Sequence, residues 1–276
     1  MGSGPRPGRM THYEPEITVV PIAEIYMHED DIPALTRKLT QQIKRENVQR
    51  DPIIVDKDTG VILDGVHRKA ALERLGCDKA VVCLVRYSDS SIKLKSWFPC
   101  LRGGFVMEVI EKLGMRKMGP QKQVWPKKSI SVVTREGIFS VDKQPNDVIS
   151  AIKAIGELRS QFTRAGCETV YETEEKALEL LDMGQVDAVI PTPRLKKLAV
   201  IEAAKTGKIF AAKTTRHIIP KRPLDLRVPL DILRTETPIE IARNKVKLLL
   251  SRRKKVLSRG ENFNSRPYEE SVYLFK

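Results

Sequence analysis

Apolar residues recur with two different periods in the first third of the chain. Residues 17–20 read as a strand, and Leu35, Leu39 and Ile43, spaced four apart, predict an amphipathic helix ending near Glu46. Two short β-rich runs, 52–56 and 60–64, joined by the turn-like Lys57-Asp58-Thr59, predict a hairpin. From Val66 the spacing turns helical through Ala70, Ala71, Leu72 and Leu75, until Gly76 supplies a C-terminal stop. Residues 79–85 then return as an apolar strand, so the turn Asp64-Gly65-Val66-His67-Arg68 is expected at a helix N-terminus.

The stretch 88–143 carries weaker signals: a helix over 105–113 and a hairpin around Thr134-Arg135-Glu136-Gly137. Beyond Pro145 the periods sharpen. Val148, Ile152, Ile155, Leu158 and Phe162 mark a long helix, and strands over 169–171, 188–190 and 209–211 alternate with two helices in a β-α-β-α-β layer. Thr192-Pro193 and Thr237-Pro238 each place an N-cap before a first-turn proline, with Glu240 completing a capping box in the last helix. The expected division is a disordered leader 1–13, a nucleotide-binding domain 14–87, a second α/β domain 88–236, and a basic C-terminal helix and tail 237–276.

Composition adds three constraints. With 276 residues and 41% hydrophobic content the chain can bury a core of one large or two modest domains. Its 49 Lys and Arg against 35 Asp and Glu give a net charge of +14, which favours anionic partners. Eight of those cations (Arg243, Lys245, Lys247, Arg252, Arg253, Lys254, Lys255, Arg259) fall between Ala242 and Gly260, where no acid occurs. Cys77, Cys83, Cys100 and Cys167 have neither zinc spacing nor a disulfide framework, so they read as reduced thiols. No apolar run reaches the roughly 18 residues of a membrane span, so a cytoplasmic protein with no membrane partner is expected. A charged content of 30% fits a thermophile.

The Asp64–Arg68 turn carries the first chemistry. A helix N-terminus offers unpaired N–H groups, glycine lets a phosphate approach closely, and His67 and Arg68 add side-chain donors. Asp64 supplies a carboxylate for a metal or a substrate amine or hydroxyl. A capped turn with solvated His67 and Arg68 would look the same in isolation. Its company changes the balance, because among only four histidines His28 adjoins Glu29-Asp30-Asp31 and His217 ends Lys213-Thr214-Thr215-Arg216-His217, just past an apolar run.

The 17–85 pattern, with Pro52-Ile53-Ile54-Val55, the Asp64–Arg68 turn and Lys69-Ala70-Ala71-Leu72, resembles the ParB/sulfiredoxin-like superfamily. The Lys213–His217 run and the His28-Glu29 loop make it similar, more narrowly, to the free L-serine kinases of that superfamily. The resemblance implies an α/β fold in which a ParB/sulfiredoxin-like N-terminal domain packs on a second α/β domain, with the substrate cleft between them. It implies transfer of a phosphoryl group from ADP or ATP, with Mg²⁺, to free L-serine, giving O-phospho-L-serine for cysteine synthesis. Glu29 would draw the hydroxyl proton, with Asp64 and His67 as the other catalytic residues and Asp64 also the candidate metal ligand. Gly65, Val66, His67 and Arg68 would hold the nucleotide phosphates, and Trp97, Lys213, Thr214, Thr215, Arg216 and His217 the substrate. Sulfiredoxins have a cysteine where this chain has Val66, and partitioning ParB proteins a Gly-Glu-Arg-Arg box that it lacks. The competing readings are a ParB-like nucleic-acid-binding regulator using the basic segment, and a kinase of another small hydroxyl compound.

Overall fold

The computed structural model of the chain describes residues 14–118, 130–259, 262–263 and 266–276. The expected leader and residues 119–129, within the weakly patterned stretch 88–143, lie outside them. The hairpin forms as its β-rich runs predict: Ile53–Asp56 pairs antiparallel with Ile62–Asp64, with a register shift between Ile54 and Val55. Lys79–Val85 lies parallel to the first of these strands, and Glu16–Pro21 closes the sheet antiparallel to it. Two helices accompany this sheet, α1 (Pro33–Glu46) and α2 (Val66–Arg74). The face that α1 buries is narrower than its leucine spacing implies. Thr36 and Ile43 are buried and Leu39 partly so, whereas Leu35 is exposed.

Both faces of the sheet are covered, because successive side chains on a strand point to opposite sides. Ile53, Val55 and Val82 enter one core with Leu72, Leu230 and Leu233; Ile54, Cys83 and Val85 enter another with Ile152, Val200, Phe210 and Ile219. The second core ties the first sheet to later parts of the chain. All four cysteines are buried and unbonded to one another.

The later half is mixed α/β, as expected, but its strands pair differently. Glu168–Glu172 and Ala188–Val189 flank Phe98–Arg102 on either side, both antiparallel to it, and Ala188–Val189 also pairs with Ser131–Thr134. Gly137–Ser140 and Arg116–Lys117 complete a six-stranded sheet. The long helix forms over Val148–Arg164, with Asp147 accepting the Ser150 N–H at its start. The predicted strand 209–211 is reduced to one bridge, Phe210 with Glu29. The left-handed residues Gly207 and Lys213 bracket a run too short for a ladder.

Two predicted helix starts are also corrected. The helix after Thr192-Pro193 begins only at Lys197, because 190–193 is a buried extended segment whose Pro193 carbonyl accepts from Ser96 Oγ. The last helix, Ile239–Ser251, has Pro238 at its cap and no side-chain cap. The Thr237 hydroxyl instead donates to the Asp231 carbonyl, and Glu240 pairs with Arg243. This helix ends before most of the clustered cations. Lys255–Arg259 is a strand antiparallel to Ser271–Phe275, which in turn runs parallel to Arg222–Leu224. Ala242 and Val246 pack into the core of the first sheet, so the C-terminal segment returns to the first part of the chain and is no free tail.

Phe162, wholly buried where the long helix meets the six-stranded sheet, anchors the later half. Phe162→Ala is expected to lower stability by about 3–5 kcal/mol in urea unfolding, through lost transfer energy plus a cavity. A loss below about 1 kcal/mol would show that this core does not hold the fold.

Candidate active site

α2 starts without a side-chain cap. Gly65 occupies the cap position at φ 113°, a left-handed conformation, and a Cβ there would meet Arg68 Nη2 at 2.9 Å. Asp64, just before it, meets the same Arg68 side chain. Its Oδ2 accepts from Arg68 Nη2 at 3.0 Å and from Arg222 Nη1 at 2.7 Å. Two guanidinium groups thus offset the charge of this carboxylate. Among the described residues no group of three His, Cys, Asp or Glu is arranged to hold a metal ion.

Arg222 is a residue that the sequence did not single out. Its side chain is 2% exposed, and beyond Asp64 it donates from Nε to Glu270 Oε1 at 3.0 Å and from Nη2 to the His217 carbonyl at 3.1 Å. Burial opposes its charge, but Asp64 and Glu270 more than offset this and hold its pKa above the ordinary arginine value. It sits 158 positions from Asp64, so no local pattern could pair them.

Glu29 lies across the cleft. Its Oε2 accepts from Thr214 N at 3.2 Å, Thr215 N at 3.1 Å and Thr215 Oγ1 at 3.1 Å, which leaves Oε1 with no hydrogen-bond partner among the described residues. The amides are aimed by the turn that places Lys213 at φ 62°. Behind them His28, wholly buried, has Nδ1 2.7 Å from the Ile62 carbonyl and Nε2 2.7 Å from Thr215 Oγ1. The bridge between Glu29 and Phe210, with Asp30 N donating to the Phe210 carbonyl at 2.9 Å, fixes the backbone on the other side.

The strand Thr215–Ile218 pairs with Lys93–Ser96, and this brings Trp97 to the cleft. Its ring has Lys213 Nζ at 5.6 Å and Arg216 Cζ at 5.2 Å from the centroid. Glu29, Asp64, Gly65, Val66, His67, Arg68, Trp97, Lys213, Thr215, Arg216 and His217 line one cavity. Thr214 stands behind it, its hydroxyl donating to the Ala211 carbonyl, so only its amide serves the site. His217 is buried against Tyr87, whose hydroxyl lies 2.8 Å from Nε2. Arg68 Nε and Arg216 Nη1, on two side chains that line the cavity, are buried donors with no hydrogen-bond partner among the described residues. A neighbouring hollow shares Asp64 and Arg68 and extends to Pro52, Pro223, Phe263 and Tyr268.

No family model matches the chain. Over 243 residues it is 28% identical to an ATP-dependent L-serine kinase of Staphylothermus marinus, covering 81% of this chain and 92% of that protein. An ADP-dependent L-serine kinase of Thermococcus kodakarensis is 28% identical over 183 residues, 64% of this chain and 74% of the relative. A solved structure of a free serine kinase in complex with AMP superposes with a TM-score of 0.66 at 23% identity, covering 79% of this chain and 93% of the other. The chain thus resembles L-serine kinases in sequence and shares the fold of one.

Three imidazoles of the site have pKa values below the ordinary 6.5: His28 and His67 by burial, His67 also by Lys213, and His217 well below by burial and His28. In the unfolded chain they take up protons below about pH 6.5, while in the folded one they do so only at lower pH. Stability is therefore full above that value and falls as pH drops toward the lowered values, by up to about 1.4 kcal/mol per pH unit for each imidazole. Urea unfolding at pH 7.5, 6.0 and 5.0 measures this, and a flat profile contradicts it. Arg222→Ala should cost about 3–5 kcal/mol in the same assay at pH 7.5, because Glu270 is left buried without its charge partner.

Proposed function

We propose that this protein is a free L-serine kinase of the ParB/sulfiredoxin-like superfamily, transferring a phosphoryl group from ADP or ATP to the serine hydroxyl. The observation that carries this reading is the pairing, across one cavity, of a carboxylate fixed by backbone amides with an uncapped helix N-terminus beside Arg68. A kinase of small alcohols needs those two parts: a base for the hydroxyl, and preorganised positive charge for the phosphoryl oxygens. The relatives named above include both an ATP-dependent and an ADP-dependent L-serine kinase, so either nucleotide is a candidate donor.

In this reading Glu29 Oε1 takes the proton as the serine oxygen attacks the terminal phosphorus, and the bond from phosphorus to the bridging oxygen of the nucleotide breaks. The α2 amides and Arg68 hold the oxygens of the transferring group. Lys213 and Arg216, stacked about Trp97, face the serine carboxylate, and Thr215 aligns Glu29. The hollow with Pro52, Pro223, Phe263 and Tyr268 suits the nucleotide base. Mg²⁺ enters as part of the metal–nucleotide substrate and neutralises phosphate charge there. Asp64 then acts through Arg68 and Arg222, as the residue that sets their positions. A role in cysteine synthesis and a cytoplasmic location accord with this product and with the lack, among the described residues, of a helix long and apolar enough to cross a membrane.

Incubation with Mg²⁺, L-serine and either ADP or ATP, followed by phosphorus NMR, tests the reading. Phosphoserine should form, the nucleotide product should identify the donor, and Glu29→Ala should reduce kcat by about 10²- to 10⁴-fold. Absence of product with both nucleotides would sink the proposal, and an undiminished Glu29→Ala rate would remove the role assigned to that carboxylate.

A further inference from the structure

His67 was expected to donate a hydrogen bond to phosphate beside Arg68. The hydrogen bonds around it point elsewhere. Its Nδ1 lies 3.1 Å from Thr36 Oγ1, and the Thr36 hydroxyl also contacts Asp31 Oδ2. Thr36 is wholly buried, and its backbone is fixed in the first turn of α1 by its N–H bond to the Ile32 carbonyl at 3.0 Å.

A hydroxyl has one proton to give. The Asp31 carboxylate has none, so the Thr36 proton points at Asp31 and the Thr36 lone pairs face His67. A bare Nδ1 would set lone pair against lone pair, so Nδ1 carries the ring proton. In a neutral imidazole Nε2 is then an acceptor. Nε2 has no hydrogen-bond partner among the described residues, and His67 lines the cavity.

We propose that Asp31 and Thr36 are positioning residues that hold His67 as its Nδ1-protonated tautomer, so that it meets the α-ammonium group of the amino-acid substrate as an acceptor at Nε2. The identity of the substrate rests on the serine-kinase reading; the tautomer does not. Cavity chemistry favours this partner. Arg68, Lys213 and Arg216 supply donors for phosphate and carboxylate, whereas an ammonium group needs acceptors. Glu29 is assigned to the hydroxyl, and Asp64 Oδ2 is held by two guanidinium groups. The charged groups about His67 are Lys213 and Arg68, which lower its pKa along with burial, and Asp31 and Asp64, which raise it; the net is a lowered value and a neutral ring at pH 7.5.

The test uses the full chain with ¹⁵N-labelled histidine and long-range proton–nitrogen correlation at pH 7.5, with His67 assigned through His67→Gln. The parent should show His67 protonated at Nδ1 and bare at Nε2. Thr36→Val should yield a mixture of tautomers, and Thr36→Ser should restore the parent pattern. In turnover assays Thr36→Val should raise the KM for L-serine in inverse proportion to the Nδ1-protonated fraction that remains, with the nucleotide KM unchanged. For the parent, the KM for L-serine should rise as pH falls through the His67 pKa, below 6.5. 3-Hydroxypropionate, which keeps the carboxylate and the hydroxyl and carries no donor in place of the ammonium, should bind the parent and Thr36→Val equally. A parent His67 protonated at Nε2 overturns the proposal outright. An effect of Thr36→Val on nucleotide KM alone, or an equal effect on 3-hydroxypropionate binding, overturns the ammonium assignment. If L-serine is not turned over at all, the kinase reading fails, while the parent tautomer still decides the role of Asp31 and Thr36.

Discussion

Arg222 holds a full positive charge at a place almost closed to water, and that charge constrains the groups around it. An isolated buried ion is far too costly to persist, so the fold must bring acceptors to it. It does so from three distant places: Asp64 at the end of the hairpin, Glu270 near the C-terminus, and the His217 carbonyl on the strand beside Trp97. Once these meet, the last part of the chain cannot detach from the first. The direction of Asp64 is fixed too, and with it the position of Arg68 at the start of α2. The same ion network thus closes the fold and places Arg68 beside the N-terminal end of the helix.

The two sides of the cleft are prepared by different means. Backbone does most of the work around Glu29, where the amides of Thr214 and Thr215 occupy one carboxylate oxygen and leave the other toward the cavity. Such amides come from a turn already held by core packing, so little reorganisation accompanies catalysis. On the side of α2 the device is an omission. Gly65 at the cap carries no side chain to satisfy the first N–H groups of α2, and a Cβ there would collide with Arg68. His28 and Thr36 stand in the next layer, each wholly buried and each bonded to a group that touches the cavity. They give the polar residues of the site one arrangement among the many that long side chains could take.

Local order could be read directly wherever a run of residues buries its own periodic face. Ile53 to Val55, Val66 to Leu72 and Val148 to Phe162 form the elements that their spacing predicts, because side-chain periodicity is a property of a single strand or helix. Where one residue had to choose between partners, tertiary contacts decided. Thr237 gave its hydroxyl to the Asp231 carbonyl and left the helix start uncapped; Lys255 to Arg259 became a strand because Ser271 to Phe275 offered it an edge.

The same division holds for the site. The sequence by itself determined which residues could do chemistry: an acidic loop with Glu29, a glycine turn opening a helix with His67 and Arg68, a polar, cationic run just past an apolar strand. Each is a local combination of side-chain type and backbone tendency, and hence visible one segment at a time. Only the tertiary structure decided their roles. It faced Glu29 with amides from residues 185 and 186 positions away, turned Asp64 toward Arg222, withdrew Thr214 from the cavity, and set Thr36 and Asp31 behind His67. The reason is that a hydrogen bond depends on where its two ends meet in space. In a buried cleft those meetings are arranged by the packing of distant segments, which leaves no period or spacing along the chain to read.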